Sequence, residues 1–308
     1  MSETILLTQQ LTKRFSKKIL AVDELDLEVT KGQVFGILGP NGSGKTTTLG
    51  MLLGVTAKTK GSFSWFGKGE DYKLRKNIGA ILEQPNFYPF LSAAQNMNVH
   101  SRIKDIRKPA TDELLTLVGL YERRNDPFKT YSLGMKQRLA IASALLADPE
   151  VLIFDEPTNG LDPQGIAEIR KLILDIRDMD KTIIMASHLL DEVQKVCSHF
   201  TVLQRGKKIF TGSVKEALEG SNSVTITADD DGILWNVIQS CPGIVAPKKE
   251  KEIVKADLIN GWTTSSLNKY LVENGVAVNY IQQKKSSLEE KFLELLKEND
   301  SKTQLHQI

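Results

Sequence analysis

Cysteine is scarce in this sequence, with only 2 among 308 residues. The two thiols, Cys197 and Cys241, are too few for a disulfide framework or for a cysteine-based zinc cluster. Cys197 lies in the apolar phase of the segment 193–197, which favours a small buried residue over a reactive thiol. The sequence therefore fits a reducing compartment such as the cytoplasm.

Two further signals are missing: a long apolar run and a strong excess of one charge. No run approaches the roughly 20 apolar residues that a membrane-spanning helix needs, and the N-terminus lacks the pattern of a secretory leader. The formal net charge is only +2 at pH 7, whereas nucleic-acid-binding domains carry a marked basic excess. We therefore expect a globular protein that would act at a membrane only through a partner.

The most informative segment is glycine-rich and has the sequence GPNGSGKTT. It fits the pattern of a glycine, four residues, then Gly-Lys-Ser/Thr, between a predicted strand and a predicted helix. In such a loop the backbone N–H groups point at phosphate oxygens, at the positive end of the helix. The predicted phosphate-binding residues are Gly39, Pro40, Asn41, Gly42, Ser43, Gly44, Lys45, Thr46 and Thr47.

Two side chains of this loop have predicted roles of their own. Lys45 places a positive charge near the β- and γ-phosphates of a nucleotide, and the Thr46 hydroxyl can bind Mg²⁺. A phosphate loop alone leaves kinases, GTPases and many ATPases open.

The hydrophobic pattern predicts an α/β fold with a mostly parallel sheet. Continuous apolar runs at 34–38, 151–154 and 182–186 are typical of strands covered on both faces, and helical patterns lie between them. Apolar and acidic residues alternate over 25–29, which predicts one half-buried strand. The block from about 84 to 147 is predicted to be a helical insertion, with a capping box at Ser92–Gln95.

The sequence pattern changes after about residue 220, so we predict two domains, 1–220 and 221–308. The second shows strand patterns at 224–227, near 244, at 253–258 and at 276–281, with helices at 233–240 and 266–274. A last amphipathic helix is predicted to begin at the capping box Ser287–Glu290. This order indicates a small α+β domain of ferredoxin-like type, which is either a packing appendage or an element that stabilises a dimer or regulates activity.

Two acidic residues, Asp155 and Glu156, follow the second apolar run. Carboxylates at the end of a buried strand are costly without partners, which favours a functional site. We expect Asp155 to bind Mg²⁺ directly or through water, and Glu156 to polarise the attacking water as general base.

The segment Tyr131–Arg138, with the sequence YSLGMKQR, opens a predicted helix. With this segment the chain resembles the nucleotide-binding subunits of ATP-binding cassette (ABC) transporters, over about residues 4–215 and with the motifs in the family's order. The resemblance implies that Ser132 and Gly134 bind the γ-phosphate of ATP held by the other subunit of a dimer. A hydroxyl, a backbone N–H and the helix dipole all favour an anion at that position.

The same resemblance implies roles for three further residues. Asp162 matches the D-loop, which passes between the two sites of the dimer, and His188 matches the switch histidine that contacts the γ-phosphate. Phe15 matches the aromatic residue that stacks on adenine. The expected catalytic residues are Lys45, Glu156 and His188.

The sequence departs from the family pattern at two places. Where the family usually has Gln this chain has Glu83, although Gln84 follows and a shift by one residue is an alternative. We expect Glu83 to contact Mg²⁺ together with Thr46 and Asp155, and to sense the membrane partner. In the signature segment Leu133 and Met135 replace the commoner Gly and Gln, while both phosphate-contacting residues are retained.

With these variants and the segments 87–89 and 286–293, the chain resembles one branch of the family. That branch contains the separate ATPase subunits of exporters for peptide antibiotics, drugs and sodium, including bacitracin- and lantibiotic-type self-protection systems. The resemblance implies a homodimeric ATPase on the inner face of the cell membrane, bound to a separate permease. One alternative is a soluble ABC ATPase of translation or DNA repair, disfavoured by the single cassette and the low net charge. Another is a module that binds ATP without hydrolysis, disfavoured by Glu156 and His188.

Overall fold

A computed structural model describes residues 3–82, 85–219, 222–285, 288–289 and 292–293. The chain divides into two compact units, Met1–Val214 and Lys215–Glu294. The predicted metal contact Glu83, its alternative Gln84 and the start of the last predicted helix at Ser287 lie outside the described residues.

The first unit contains two sheets and a set of helices. Its strands are β1 (Thr4–Arg14), β2 (Leu20–Leu25), β3 (Glu28–Thr30), β4 (Val34–Leu38), β5 (Lys60–Trp65), β6 (Ile78–Ile81), β7 (Val151–Asp155), β8 (Thr182–Ser187), β9 (His199–Gln204) and β10 (Lys207–Ser213). Its helices are α1 (Lys45–Leu52), α2 (Ala93–Ile103), α3 (Thr111–Leu117), α4 (Leu133–Leu145), α5 (Pro163–Arg177) and α6 (Leu190–Val196), and α7 (Val214–Glu219) follows at the boundary.

The central sheet has the strand order β10-β9-β4-β8-β7-β6. Its neighbours are parallel from β9 to β6, and only β10 runs antiparallel, to β9. Every residue of β4, β7 and β8 is buried, which confirms the interpretation of the continuous apolar runs as strands covered on both faces. Because these strands are parallel, their carboxyl ends meet at one edge of the sheet.

The second sheet of this unit is antiparallel, with the order β2-β1-β3 and β5 paired to β1. The single strand predicted over 25–29 is wrong, because β2 ends at Leu25 and β3 begins at Glu28. The Thr8 side chain of β1 explains the break: its hydroxyl donates to Leu25 O and accepts from Leu27 N. The Thr8 hydroxyl thus bonds the chain between the two strands, beside the backbone bond from Thr8 N to Leu27 O. The apolar residues of the segment remain buried as the alternation predicts.

The helical block begins as the sequence predicts, with a capping box at the start of α2. The capping box is confirmed, since Ser92 Oγ accepts from Gln95 N and Gln95 Oε1 accepts from Ser92 N.

Cys197, after α6, is buried. Burial raises the pKa of its thiol, and the nearby charge of Glu192 adds to the effect, so the prediction of a small core residue is confirmed.

The second unit has the strands β11 (Asn222–Ala228), β12 (Ile244–Glu250), β13 (Ile253–Leu258) and β14 (Val278–Lys285), with helices α8 (Asp231–Gln239) and α9 (Thr264–Glu273). The chain order is βαββαβ, and the antiparallel sheet has the order β12-β13-β11-β14. This topology is ferredoxin-like, as predicted. Its core is formed by the buried apolar residues of the sheet and both helices, among them Val224, Ile226, Leu234, Leu267 and Leu271.

Candidate functional site

The predicted site residues follow three adjacent parallel strands. The glycine-rich loop follows β4, Glu156 follows β7, and His188 follows β8, which lies between the other two in the sheet. The carboxyl edge of a parallel sheet, where strands give way to loops, is the usual place for ligand binding in such folds. The topology alone therefore places these segments close together.

The loop backbone adopts a conformation that requires glycine. Gly44, which caps α1, has φ +107°, and a Cβ there would lie 2.5 Å from Ala21 O. Gly39 leaves no room for a larger residue, because a Cβ there would lie 2.4 Å from Leu203 O. The loop is thus held against backbone of neighbouring segments, with the N-terminus of α1 at its end. The Ser43 Oγ atom of the loop is buried and has no hydrogen-bond partner among the described residues.

Lys45, the first residue of α1, folds its side chain back over the loop. Its Nζ donates to Gly39 O at 2.8 Å and to Pro40 O at 3.3 Å, and lies 3.2 Å from Glu156 Oε1. The side chain is nearly buried. A cation held by two carbonyls and one carboxylate at a helix N-terminus can bind an anion that displaces the carboxylate.

Glu156 joins this lysine to the histidine that follows β8. Its Oε2 lies 2.8 Å from His188 Nδ1 and accepts from His188 N at 3.3 Å. Because a carboxylate can only accept, Nδ1 carries the proton in this contact and Nε2 remains for another partner. Glu156 itself has φ +50°, an uncommon backbone conformation for a residue with a side chain. The structure brings the three predicted catalytic residues together.

A cavity of about 630 Å³ opens beside these residues. Thr46 and Asp155 line it together with Glu156, and its other lining residues are Pro85, Leu133, Gln137, Asn159 and Gly160. A hydroxyl and a carboxylate are ligands of the kind that Mg²⁺ prefers, and Mg²⁺ usually takes one or two protein oxygens plus phosphates and water. The donor set therefore fits Mg²⁺.

The signature residues Ser132 and Gly134 face a different cavity, of about 460 Å³, whose described lining includes no residue of the glycine-rich loop. Ser132 caps α4, its Oγ accepting from Met135 N at 3.2 Å. A Cβ built on Gly134 would meet only one atom, at 3.9 Å, so the backbone here is open to close approach. Asp162 lines the same cavity and caps α5 by accepting from Gly165 N at 2.8 Å.

Phe15 immediately follows β1 and is 58% exposed. The ammonium of Lys13 is 4.7 Å from the ring centroid, which leaves the other face of the ring for a ligand. An exposed phenylalanine is suited to stack on a flat base.

Sequence reasoning missed a buried network behind the site. Glu192 of α6 is 1% exposed, and it accepts hydrogen bonds from the hydroxyls of Thr158 and Ser187. A signal was present, because Glu192 shares the buried side of α6 with Val193 and Val196, where an acidic residue is rare unless paired.

Within the described part of the chain, no helix is long and apolar enough to cross a membrane.

Comparison with known proteins identifies the family of this site. The family model described as "ABC transporter" matches residues 22–159. The bacitracin transport ATP-binding protein BcrA of Bacillus licheniformis is 36% identical over 309 residues, which cover 95% of this chain and 97% of that protein. The lantibiotic transport ATP-binding protein SrtF of Streptococcus pyogenes is 39% identical over 65% of this chain and 87% of its own length.

A solved structure agrees with the sequence relatives. CbiO1 from Clostridium perfringens, part of the ABC transporter complex cbiONQ, superposes with a TM-score of 0.65 at 32% identity. The match covers 71% of this chain and 92% of that structure. It confirms the predicted α/β fold of the cassette.

The two glycines of the loop with positive φ provide a test of its geometry. Gly42→Ala meets no atom within 4 Å but is strained at φ +78°, so it should lower the free energy of unfolding by about 1–2 kcal/mol. Gly44→Ala should cost clearly more, because its Cβ also overlaps Ala21 O. Urea unfolding of the two variants measures the difference, and equal losses would contradict the described loop.

Proposed function

The chain belongs to the ATP-binding proteins of ABC transporters, and from that premise we propose that it pairs around two ATP molecules to drive a separate exporting permease. The family hydrolyses ATP to power transport. The soluble alternative is not favoured, because the relatives that match along nearly the whole chain are transport proteins.

One observation carries the proposal: the Glu156 carboxylate lies between Lys45 and His188. When ATP binds, its γ-phosphate would take the place of this carboxylate beside the Lys45 ammonium. Glu156 would then be free of the lysine and next to the terminal phosphate, where it can accept a proton from the attacking water. His188 would remain hydrogen-bonded to Glu156 through Nδ1 and offer Nε2 toward the transferred phosphoryl group.

Thr46 and Asp155 would hold Mg²⁺ at the ATP phosphates. When bound, the ion would neutralise the negative charge that develops on the phosphate oxygens during transfer. Glu83 stays a predicted third contact and a predicted sensor of the permease. Phe15 would stack on adenine, with the charge of Lys13 on its other side.

Ser132 and Gly134 would complete the site of a second copy of the chain. Their hydroxyl, backbone N–H and helix N-terminus suit a phosphate, yet in one chain they face a cavity apart from the loop. In a two-fold dimer the same surface acts twice, so each ATP would lie between the loop of one copy and the signature segment of the other.

The substitution Glu156→Gln tests the general base. The amide keeps the shape of the side chain but cannot take up the proton, so kcat for ATP hydrolysis should fall about 10²- to 10⁴-fold. ATP should still bind, and the variant should accumulate as a nucleotide-bound dimer. Phosphate release and light scattering measure the two effects, and normal turnover would remove Glu156 from this role.

Mixing two inactive variants tests whether the site is shared. Ser132→Arg and Glu156→Gln should each abolish hydrolysis as homodimers. A mixed dimer joins the intact Lys45–Glu156 half of the first variant to the intact Ser132 of the second, so a 1:1 mixture should recover up to about a quarter of wild-type activity. If each chain completes its own site, the mixture stays as inactive as its components.

The permease would dock beside the segment 85–90, next to the predicted sensor. Tyr88 and Phe90 are exposed there, Phe90 by 76%, and Lys129 lies 4.9 Å from the Phe90 ring. Exposed aromatic residues on a surface are typical anchors of protein interfaces. In this way the chain would be peripheral to the inner face of the cell membrane.

The exported compound would be a peptide antibiotic or a related small molecule, as the names of BcrA and SrtF indicate for those relatives. Replacing the gene in its own host by the Glu156→Gln variant should lower the inhibitory concentration of at least one antibiotic, with bacitracin and a lantibiotic as first probes. Restoring the wild-type gene is the control. An unchanged response to the whole panel would refute antibiotic export and leave the ATPase assignment intact.

A further inference from the structure

The strongest unassigned feature of the molecule is the buried carboxylate of Glu192. Its side chain is enclosed between α6 and the carboxyl ends of β7 and β8. The Ser187 hydroxyl donates to Oε2 at 2.8 Å, and the Thr158 hydroxyl donates to Oε1. A buried carboxylate is costly unless its oxygens are hydrogen-bonded, and here both oxygens are.

The two partners of Glu192 belong to the two segments that carry the reaction. Thr158 is two residues after Glu156, and Ser187 immediately precedes His188. The hydroxyl of Ser187 also accepts from Leu189 N at 3.0 Å, which fixes the backbone on both sides of the histidine. One side chain therefore holds the turn after Glu156 and the turn around His188 from behind.

The turn after Glu156 needs such an anchor. Glu156 has φ +50°, and a non-glycine residue in this region persists only where the surroundings hold it. Its own N–H donates to Ala186 O at 3.0 Å, so the residue leaves β7 toward β8. Without the hydroxyl at Thr158, the Glu156 side chain would relax away from His188 and Lys45.

We infer that Glu192 is a positioning residue for ATP hydrolysis: it fixes the distance between Glu156 and His188 without touching the nucleotide. The inference rests on the proposed roles of these two residues and adds a third that acts through both. A displacement of reacting groups by about 1 Å can cost on the order of 100-fold in rate. The effect should therefore appear in kcat more than in ATP affinity, because the hydrogen bonds described for Glu192 go to Thr158 and Ser187. The loop meets this network through a backbone bond from Gly39 N to Ser187 O at 3.4 Å, which does not involve the Glu192 side chain.

The first measurement is steady-state hydrolysis by the full chain carrying Glu192→Ala. We expect kcat to fall at least about tenfold while KM for ATP changes less than about threefold. Asp191→Asn is the matched control, because Asp191 is exposed on the same helix and pairs with Arg170 and Lys195 instead. The control should keep activity within about twofold, as expected for an exposed ion pair.

A second pair of variants works even if Glu192→Ala folds poorly. Thr158→Val keeps the shape of the side chain and removes the hydroxyl, whereas Thr158→Ser keeps the hydroxyl. Thr158→Val should lose kcat and Thr158→Ser should retain it, although both change the same buried position. Equal activity of the two, or wild-type kcat in Glu192→Ala, would overturn the inference.

Combining Glu192→Ala with His188→Ala distinguishes a positioning role of Glu192 from an effect on stability alone. Glu192→Ala should reduce kcat less in a His188→Ala background than in the wild type, since one of the two groups whose spacing it fixes is already gone. Its effect on Tm should be the same in both backgrounds. Equal fold losses of kcat in both backgrounds would mean that Glu192 does not act through the spacing of Glu156 and His188, and would overturn the inference.

A readout without turnover keeps this test apart from the proposed function. The imidazole ¹⁵N resonances of His188, assigned with His188→Ala, should shift in Glu192→Ala and stay unchanged in Asp191→Asn. A wild-type chain that hydrolyses no ATP would count against the proposed function, whereas unchanged His188 resonances in Glu192→Ala would count against the positioning role.

Discussion

The bridge from Lys45 through Glu156 to His188 depends on the order of three parallel strands. Strand β8 lies between β4 and β7, so a residue that follows β7 must reach across the end of β8 to meet the loop that follows β4. Glu156 does so because its backbone turns at φ +50° and its N–H binds Ala186 of β8. His188, which follows β8, then lies directly beside the carboxylate. The chemistry of the site is in this sense a consequence of sheet topology plus one strained residue.

On the proposed mechanism, the γ-phosphate of ATP competes with the Glu156 carboxylate for the position beside the Lys45 ammonium. The Lys45 ammonium has three oxygen partners, two of them carbonyls of its own loop, so the buried cation is paired. On the proposed mechanism the γ-phosphate replaces only the carboxylate. Binding would therefore exchange one anion for another, and this would restrain ground-state affinity. On the same proposal the carboxylate would return after hydrolysis, which would favour release of phosphate and restore the starting arrangement.

Much of the fold could be predicted because its signals are local. The buried strands of the cassette have continuous apolar runs, and the ferredoxin-like topology of the second unit follows from alternating strand and helix patterns separated by turn residues. The break between β2 and β3 was not predictable, because it depends on the Thr8 hydroxyl of another strand. Glu192 was harder to predict for a related reason: α6 begins with two acidic residues, and only Glu192 is buried against hydroxyl partners from other segments.

The placement of Ser132 and Gly134 gives a physical reason for dividing the site between two copies. The Ser132 hydroxyl already caps its own helix, while the backbone at Gly134 is open. A chain that brought this helix end to its own phosphate loop could stabilise the transferred phosphoryl group at any time. With the helix end facing another cavity, the proposed stabilisation would require a second copy to approach, so hydrolysis would become conditional on closure of the pair. A permease that controls the approach of the two copies would then control hydrolysis, and each turnover would be tied to its movement.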